Sequence, residues 1–222
     1  MTLSAAILAG GQARRYGGRD KSALVVDGRS IRERQLEALA PIAHDILIVG
    51  SRASLQSGEG ARPDDPAEKN RAEPRQSVTI REVGDRVPGC GPLGGLHAAL
   101  LEATGDATFV VACDMPYIST AFVRHLAALA ADADAVVPRT DRGYHPLCAV
   151  YTRACLAPAA RRLAERQLKM IDLFEDLRVR VVDANELGGF GDVRRLLTNI
   201  NSPADLEELD AIEASRDRQP SS

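Results

Sequence analysis

The sequence predicts an α/β protein: a three-layer sandwich in which a mainly parallel, twisted sheet carries helices on both faces. Two observations predict it. Apolar runs and amphipathic runs alternate almost to the end of the chain, the order produced when crossover helices join successive strands. Several of the apolar runs are also uninterrupted, as in strands covered on both sides. At 222 residues and without an internal repeat, the chain suits a single domain over residues 1–214, with a disordered tail over 215–222.

Ala5-Ala6-Ile7-Leu8 reads as a buried strand, and Ala23-Leu24-Val25-Val26 as a short extended piece closed by an Asp27-Gly28 turn. Ser30 and Glu33 have capping-box spacing, opening a helix with Ile31, Leu36 and Leu39 inward that stops near Pro41. Asp45–Val49 is the next strand. From Ser51 to Gln76 the composition turns to Gly, Pro, Asp, Glu, Arg and Lys, so this stretch is expected to be a long flexible surface excursion without chemistry of its own.

Ser77–Ile80 resumes the sheet. Pro92 suits the first turn of a helix with Leu96, Leu100 and Leu101 on its apolar side and Gly105 beyond its end. Thr108–Cys113 has the composition of a central strand, and Ser119 caps a helix carrying Phe122, Val123, Leu126 and Leu129. Asp134–Val137 and Leu147–Tyr151 are further strands. Arg153–Gln167 is expected to be helical despite Pro158, and Met170–Phe174 forms a shorter helix. Val179–Val182 is a late strand, and Pro203–Ala214 a last helix.

Composition removes several function classes. The net charge of −3 offers no bulk attraction to nucleic acid or an anionic membrane. An aromatic share of 4% with no Trp argues against a stacking platform for single strands. Cys90, Cys113, Cys148 and Cys155 form no C-x-x-C pair, and reduced thiols in a cytoplasmic protein are expected. No secretory leader pattern opens the chain, and no apolar run approaches the roughly 18 residues of a membrane span. A soluble cytoplasmic protein is the expectation.

The chemistry concentrates after the first strand, in Leu8-Ala9-Gly10-Gly11-Gln12-Ala13-Arg14-Arg15-Tyr16-Gly17-Gly18-Arg19-Asp20-Lys21. Glycines let main-chain N–H groups approach an anion closely, and Arg14, Arg15, Arg19 and Lys21 add charge suited to a triphosphate. It is not a Walker A loop, because Asp20 rather than Gly precedes Lys21-Ser22. A solvated, charged turn after an edge strand would share this composition. Asp114 follows the Thr108–Cys113 strand, where open parallel sheets bind ligands, and a carboxylate beside phosphates suits Mg²⁺. Asp114 would equally cap the turn before Pro116.

These residues resemble a family. Leu8-Ala9-Gly10-Gly11, Arg15-Tyr16-Gly17 and Asp20-Lys21 are similar to the LAGG-x(3)-R-M-G-x-DK signature of the molybdenum cofactor guanylyltransferase (MobA) family, within the nucleotidyltransferase superfamily. Tyr16 stands where Met is usual, and Gly18-Arg19 adds a residue before Asp20. Asp85-Arg86-Val87-Pro88-Gly89-Cys90-Gly91-Pro92-Leu93-Gly94-Gly95 resembles the D-x(2)-P-G-x-GPL-x-G loop, and Cys113-Asp114-Met115-Pro116 the metal-binding segment. His145-Pro146-Leu147 resembles an H-P-L element. Asn199-Ile200-Asn201-Ser202-Pro203 resembles the N-x-N-[TS]-P-E-D ending, with Ala204 in place of Glu. Val49-Gly50-Ser51 lies where some members place a base-contacting Asn.

The resemblance implies a Rossmann-like nucleotidyltransferase fold and transfer of GMP from GTP to the phosphate of Mo-molybdopterin. It implies catalytic roles for Lys21, Arg15 and Asp114, with Asp114 on Mg²⁺ as the cofactor. Leu8, Ala9, Gly10, Gly11, Lys21, Asp85, Gly91 and Asp114 would bind the nucleotide, and His145, Asn199 and Asn201 would line the pterin side. His145 would serve equally as a structural histidine, and Asn201 and Ser202 as caps of the last helix. The implied partners are GTP, Mo-molybdopterin and, transiently, the recipient molybdoenzyme or its chaperone, around a monomer. The alternatives are a molybdopterin cytidylyltransferase, a sugar-1-phosphate guanylyltransferase, and a non-catalytic nucleotide-binding module.

Overall fold

In the computed structural model, the described residues are 1–9, 23–50, 78–84, 86–87, 89–202, 204–205 and 207. The first strand, β1 (Leu3–Leu8), is buried along its whole length. Its odd and even residues point into two different cores. Leu3, Ala5 and Ile7 join one cluster, and Ala6 and Leu8 the other. This is the reason its sequence is apolar without alternation.

The remaining strands are β2 (Val25–Val26), β3 (Arg29–Ser30), β4 (Asp45–Gly50), β5 (Thr79–Gly84), β6 (Ala107–Ala112), β7 (Ala135–Thr140), β8 (Gly143–Tyr144), β9 (Cys148–Thr152) and β10 (Val179–Val182). Among the described residues the sheet runs β10-β7-β9-β6-β1-β4-β5, with β8 paired to β7. The pairs β1–β4, β1–β6, β4–β5 and β7–β10 are parallel. β9 runs antiparallel to both β6 and β7, so the sheet is mostly rather than wholly parallel. The Asp27-Gly28 turn is confirmed: both residues have positive φ, 50° and 79°, and the two-residue link closes the small β2–β3 hairpin.

The helices are α1 (Ile31–Leu39), α2 (Gly91–Glu102), α3 (Thr120–Leu129), α4 (Leu156–Ala164), α5 (Ala184–Leu187) and α6 (Val193–Leu196). Ser30 and Glu33 make the reciprocal capping box of α1, and Ser119 Oγ accepts the Phe122 N–H at the start of α3. One face of the sheet packs on α1 and α3 with Leu187, Leu196 and Leu197; the other packs on α2, α4 and the 3-10 segment 170–176. On the first face Phe109 meets Phe122 edge-on, at 6.5 Å and 88°.

Several boundaries differ from the sequence-based expectations. Strand β5 continues to Gly84. Leu96 and Leu100 are buried as expected, whereas Leu101 is 42% exposed. The stretch expected as helix 153–167 is a 3-10 turn followed by α4; Pro158 sits in the first turn of α4, where a missing N–H costs nothing, and the chain leaves the helix through Arg166 at φ 59°. Residues 170–176 form a 3-10 helix. Two short helices, α5 and α6, were not foreseen; Asp183 and Asp192 accept the N–H groups of their first turns. The excursion 51–76 and the tail 215–222 lie outside the described residues. So does the last helix apart from residues 204, 205 and 207, which are helical.

At the end of the sheet opposite the site, Asp45 is buried and fully paired. Ser4 Oγ donates to its Oδ1 at 2.5 Å, and Arg81 Nη2 to its Oδ2 at 2.9 Å. Burial alone would raise this carboxyl, yet the bonds from Ser4, Arg81 and Thr104 hold it below the usual carboxylate value.

Candidate active site

The chain order places a crevice. From β1 the chain moves outward through β4 to β5, and then returns across the sheet to β6 on the other side of β1. The reversal falls at the carboxyl ends of β1 and β6, the place where open α/β sheets take ligands. Leu8 pairs with Ala112 at these ends, and the Cys113 N–H donates to Leu8 O at 3.2 Å. Ala9 N–H donates to Val49 O at 2.7 Å, which fixes the exit of β1 toward β4.

Three further stretches meet at this edge. Gly91 and Pro92 open α2, and Gly91 has φ 61°, a conformation that favours glycine. Gly95, one turn on, packs against the Leu8 side chain, 3.4 Å from where a Cβ would stand. The hairpin β7–β8 also rises from this edge and leads into His145-Pro146-Leu147. Leu147 O accepts the Ala112 N–H at 2.9 Å, which brings the His-Pro-Leu element beside the strand that ends at Asp114. The fully buried Tyr151 donates its hydroxyl to Pro146 O at 2.7 Å and braces that element from below.

The fourth stretch arrives from far along the chain. Asn199 Nδ2 donates to Asp114 Oδ1 at 3.1 Å, and the Ile200 N–H donates to Asp114 O at 2.7 Å. The side chain and the main chain of Asp114 are thus both held by the 199–200 segment. Ile200 is buried with Val26 and Ile31, and Leu24 and Tyr117 pack against them. Arg34 and Arg195 lie over the Tyr117 ring at 5.3 and 4.3 Å, and both reach Asp27 Oδ2, at 3.3 and 3.6 Å. This cluster ties the β2–β3 hairpin to the Asp114 turn and to the C-terminal segment.

Of the expected site residues, the structure brings Leu8, Ala9, Gly91, Asp114, His145 and Asn199 to one edge of the sheet. Gly10, Gly11, Arg15, Lys21 and Asp85 lie outside the described residues. Asn201 has its N–H on Asp205 Oδ2 at 2.6 Å, while Ser202 and Asp205 bond reciprocally, so this end of the motif serves as a helix cap. His145 Nε2 shares a hydrogen bond with Thr140 Oγ1 at 3.0 Å. Burial, with Arg142 nearby, pushes its pKa below the ordinary histidine value, so the ring is neutral at neutral pH.

Sequence reasoning missed Gln35, Tyr117 and Tyr151, which support the site without lining it. Gln35 carried a visible signal, because it lies four residues from both Ile31 and Leu39 on the inward face of α1, where a polar side chain is unusual. Among the described residues no group of three His, Cys, Asp or Glu side chains is placed to hold a metal ion. Asp114, a carboxylate that the described residues place at this edge, fits an ion delivered with a nucleotide, since Mg²⁺ combines one or two carboxylates with phosphate oxygens and water.

A mostly parallel sheet with Asp114 at the reversal of strand order is the arrangement by which open α/β proteins take ligands, and comparison with known proteins identifies the class as nucleotidyltransferase. The chain belongs to the MobA-like NTP transferase domain family, whose model matches residues 5–180. It is similar to a probable molybdenum cofactor guanylyltransferase of Pelotomaculum thermopropionicum, 32% identical over 200 residues that cover 90% of this chain and 88% of that protein. It is also similar to the molybdenum cofactor guanylyltransferase of Desulfosudis oleivorans, 31% identical over 95% of this chain and 96% of that protein. The crystal structure of molybdopterin-guanine dinucleotide biosynthesis protein A from Archaeoglobus fulgidus superposes with a TM-score of 0.70 at 26% identity, over 96% of this chain and 99% of that one. Among the described residues no helix is long and apolar enough to cross a membrane.

Proposed function

We propose that the protein transfers GMP from GTP to the phosphate of Mo-molybdopterin, giving molybdopterin guanine dinucleotide and pyrophosphate. The observation that carries this reading is the Asp114–Asn199 contact at the switch point. Two motif elements 85 positions apart are drawn together beside the exit of β1. The names of the full-length relatives support the choice of guanine and pterin.

The reaction sets one phosphate anion against another, so repulsion must be offset and the geometry must be in line. Arg15 and Lys21 hold the triphosphate. The main chain of Leu8–Gly10 and the Asp85 carboxylate receive guanosine, with the Gly91 turn shaping the pocket. Asp114 holds the divalent ion that accompanies the nucleotide; when bound, that ion supplies charge neutralisation on the phosphates. The acceptor phosphate, with a second pKa near 6, is already ionised at neutral pH, so no side chain has to remove a proton. His145, neutral and fixed by Thr140, is a hydrogen-bonding wall of the acceptor side.

The test is to incubate the protein with each of the four nucleoside triphosphates, Mg²⁺ and Mo-molybdopterin, and to weigh the product. A GMP adduct with release of pyrophosphate is expected; a CMP adduct, or no adduct, would overturn the reading. Lys21→Ala and Asp114→Ala should each lower turnover at least 100-fold, about 2.7 kcal/mol, with the fold intact by circular dichroism.

A further inference from the structure

The turn that presents Asp114 is gripped from beneath by a residue with no part in the transfer as described. Gln35 lies on α1 and is wholly buried. Its Nε2 donates to two carbonyls of one turn, Ala112 O at 2.8 Å and Met115 O at 3.0 Å. Those carbonyls bracket Cys113 and Asp114. Two acceptors in one place fix the amide orientation, because Oε1 there would face two carbonyl oxygens. The orientation leaves Oε1 buried with no partner among the described residues.

An amide oxygen sealed away from donors is unfavourable, and an apolar side chain of equal length would avoid it. The amide is therefore a poor choice for packing alone, and what it supplies is the pair of N–H bonds to the turn. Its neighbour Arg34 repeats the grip, with Nε on Pro116 O and Nη1 on Val26 O, each at 3.2 Å. Helix α1 thus joins the turn around Asp114 to the strand that follows the Gly-rich stretch.

We infer that Gln35 is a positioning residue for the transfer reaction. Through the main chain of 112–115 it sets the direction in which the Asp114 carboxylate leaves the sheet, and with it the affinity for the divalent cation that travels with the nucleotide. The inference rests on Asp114 being the metal carboxylate. Mg²⁺ demands near-ideal octahedral geometry, so a small swing of one ligand oxygen is felt in binding. Asn199 acts on the carboxylate itself, whereas Gln35 acts on the backbone below it.

The test uses Gln35→Met, which keeps length and burial while deleting both donors and the unpartnered oxygen. Gln35→Glu, of the same shape, replaces the donor with an oxygen and serves as the second variant. Mn²⁺ binding to the full chain with GTP is followed by the electron paramagnetic resonance signal of free Mn²⁺, alongside melting and steady-state kinetics. The Met variant takes this donor from two carbonyls but also removes the unpartnered oxygen, so it is expected to stay folded at 25 °C with a lower melting temperature than wild type. Its Mn²⁺ dissociation constant and half-saturating Mg²⁺ should rise about 10-fold, with the KM for the pterin substrate unchanged, and the Glu variant should lose more. Wild-type Mn²⁺ affinity in these variants overturns the inference. Asp114→Asn is the reference arm: lost affinity in that variant alone rejects the role of Gln35, and lost affinity in none of them rejects the metal role of Asp114 as well.

Discussion

Asn199 places its side-chain amide 3.1 Å from Oδ1 of Asp114, and the next residue, Ile200, donates its main-chain N–H to the carbonyl of Asp114. A charge-assisted donor on one carboxylate oxygen fixes the second torsion of that side chain and leaves the other oxygen direction defined. The C-terminal motif is thereby a support for the carboxylate of the central strand.

Replacing Asn199 with Ala should therefore lower kcat about tenfold, or 1.4 kcal/mol, with little change in melting temperature because the side chain is exposed. Steady-state kinetics at varied Mg²⁺ would check it. An unchanged half-saturating Mg²⁺ together with an unchanged kcat would remove the role.

Tyr151→Phe deletes one hydroxyl from a fully buried ring and leaves Pro146 O without that donor. A loss of about 1–3 kcal/mol in unfolding free energy is expected, measured by urea denaturation. Because His145-Pro146-Leu147 rests on this bond, the KM for the pterin substrate should rise more than the KM for GTP.

Burial pushes the pKa of both His97 and His145 below the ordinary histidine value, with Arg86 and Arg142 adding to the effect. The unfolded chain then binds more protons than the folded one as pH falls below about 6.5. Stability is present in full above that value and is lost as the pH drops through the folded values. The lowered carboxylates, among them Asp134 and Asp176, act in the same direction but only near and below the ordinary carboxylate range. His97→Gln should consequently flatten the dependence of melting temperature on pH between 7 and 5, as read by calorimetry.

Gly105 leaves no room for a side chain. A Cβ there would stand 2.8 Å from Ser4 N and 2.9 Å from Thr2 O, both main-chain atoms in the neighbourhood of the Ser4–Asp45 bond. Gly105→Ala should cost about 1–3 kcal/mol and lower the melting temperature by several degrees. Activity at 25 °C should be retained, because the change lies at the end of the sheet away from Asp114.

Much of the fold was legible because its signals are local. The uninterrupted runs of β1, β4 and β6 report burial on two faces, and the Ser30–Glu33 box and the Asp27-Gly28 turn are written in adjacent residues. The C-terminal stretch was less legible. Helices α5 and α6 span four residues each, too short for an apolar period to show, and they depend on Asp183 and Asp192 as caps. Within the site, Asp114 was visible from its place after a central strand. The family resemblance puts Asn199 on the pterin side; its bond to Asp114 is a contact that only the structure shows, because no spacing rule relates residues so far apart.

By itself the sequence determined the alternation of strand and helix, the double-sided burial of the sheet and the kind of chemistry its Gly-rich and Asp-bearing stretches suit. Those properties follow from side-chain periodicity and turn preference, which act over a few residues. Only the tertiary structure decided that Gln35, Asn199, Tyr117 and Tyr151 converge around one turn and one His-Pro-Leu element. The reason is that hydrogen bonds of buried polar groups are satisfied by whatever the packed layers bring within reach, and that neighbourhood is set by strand order rather than by position in the chain.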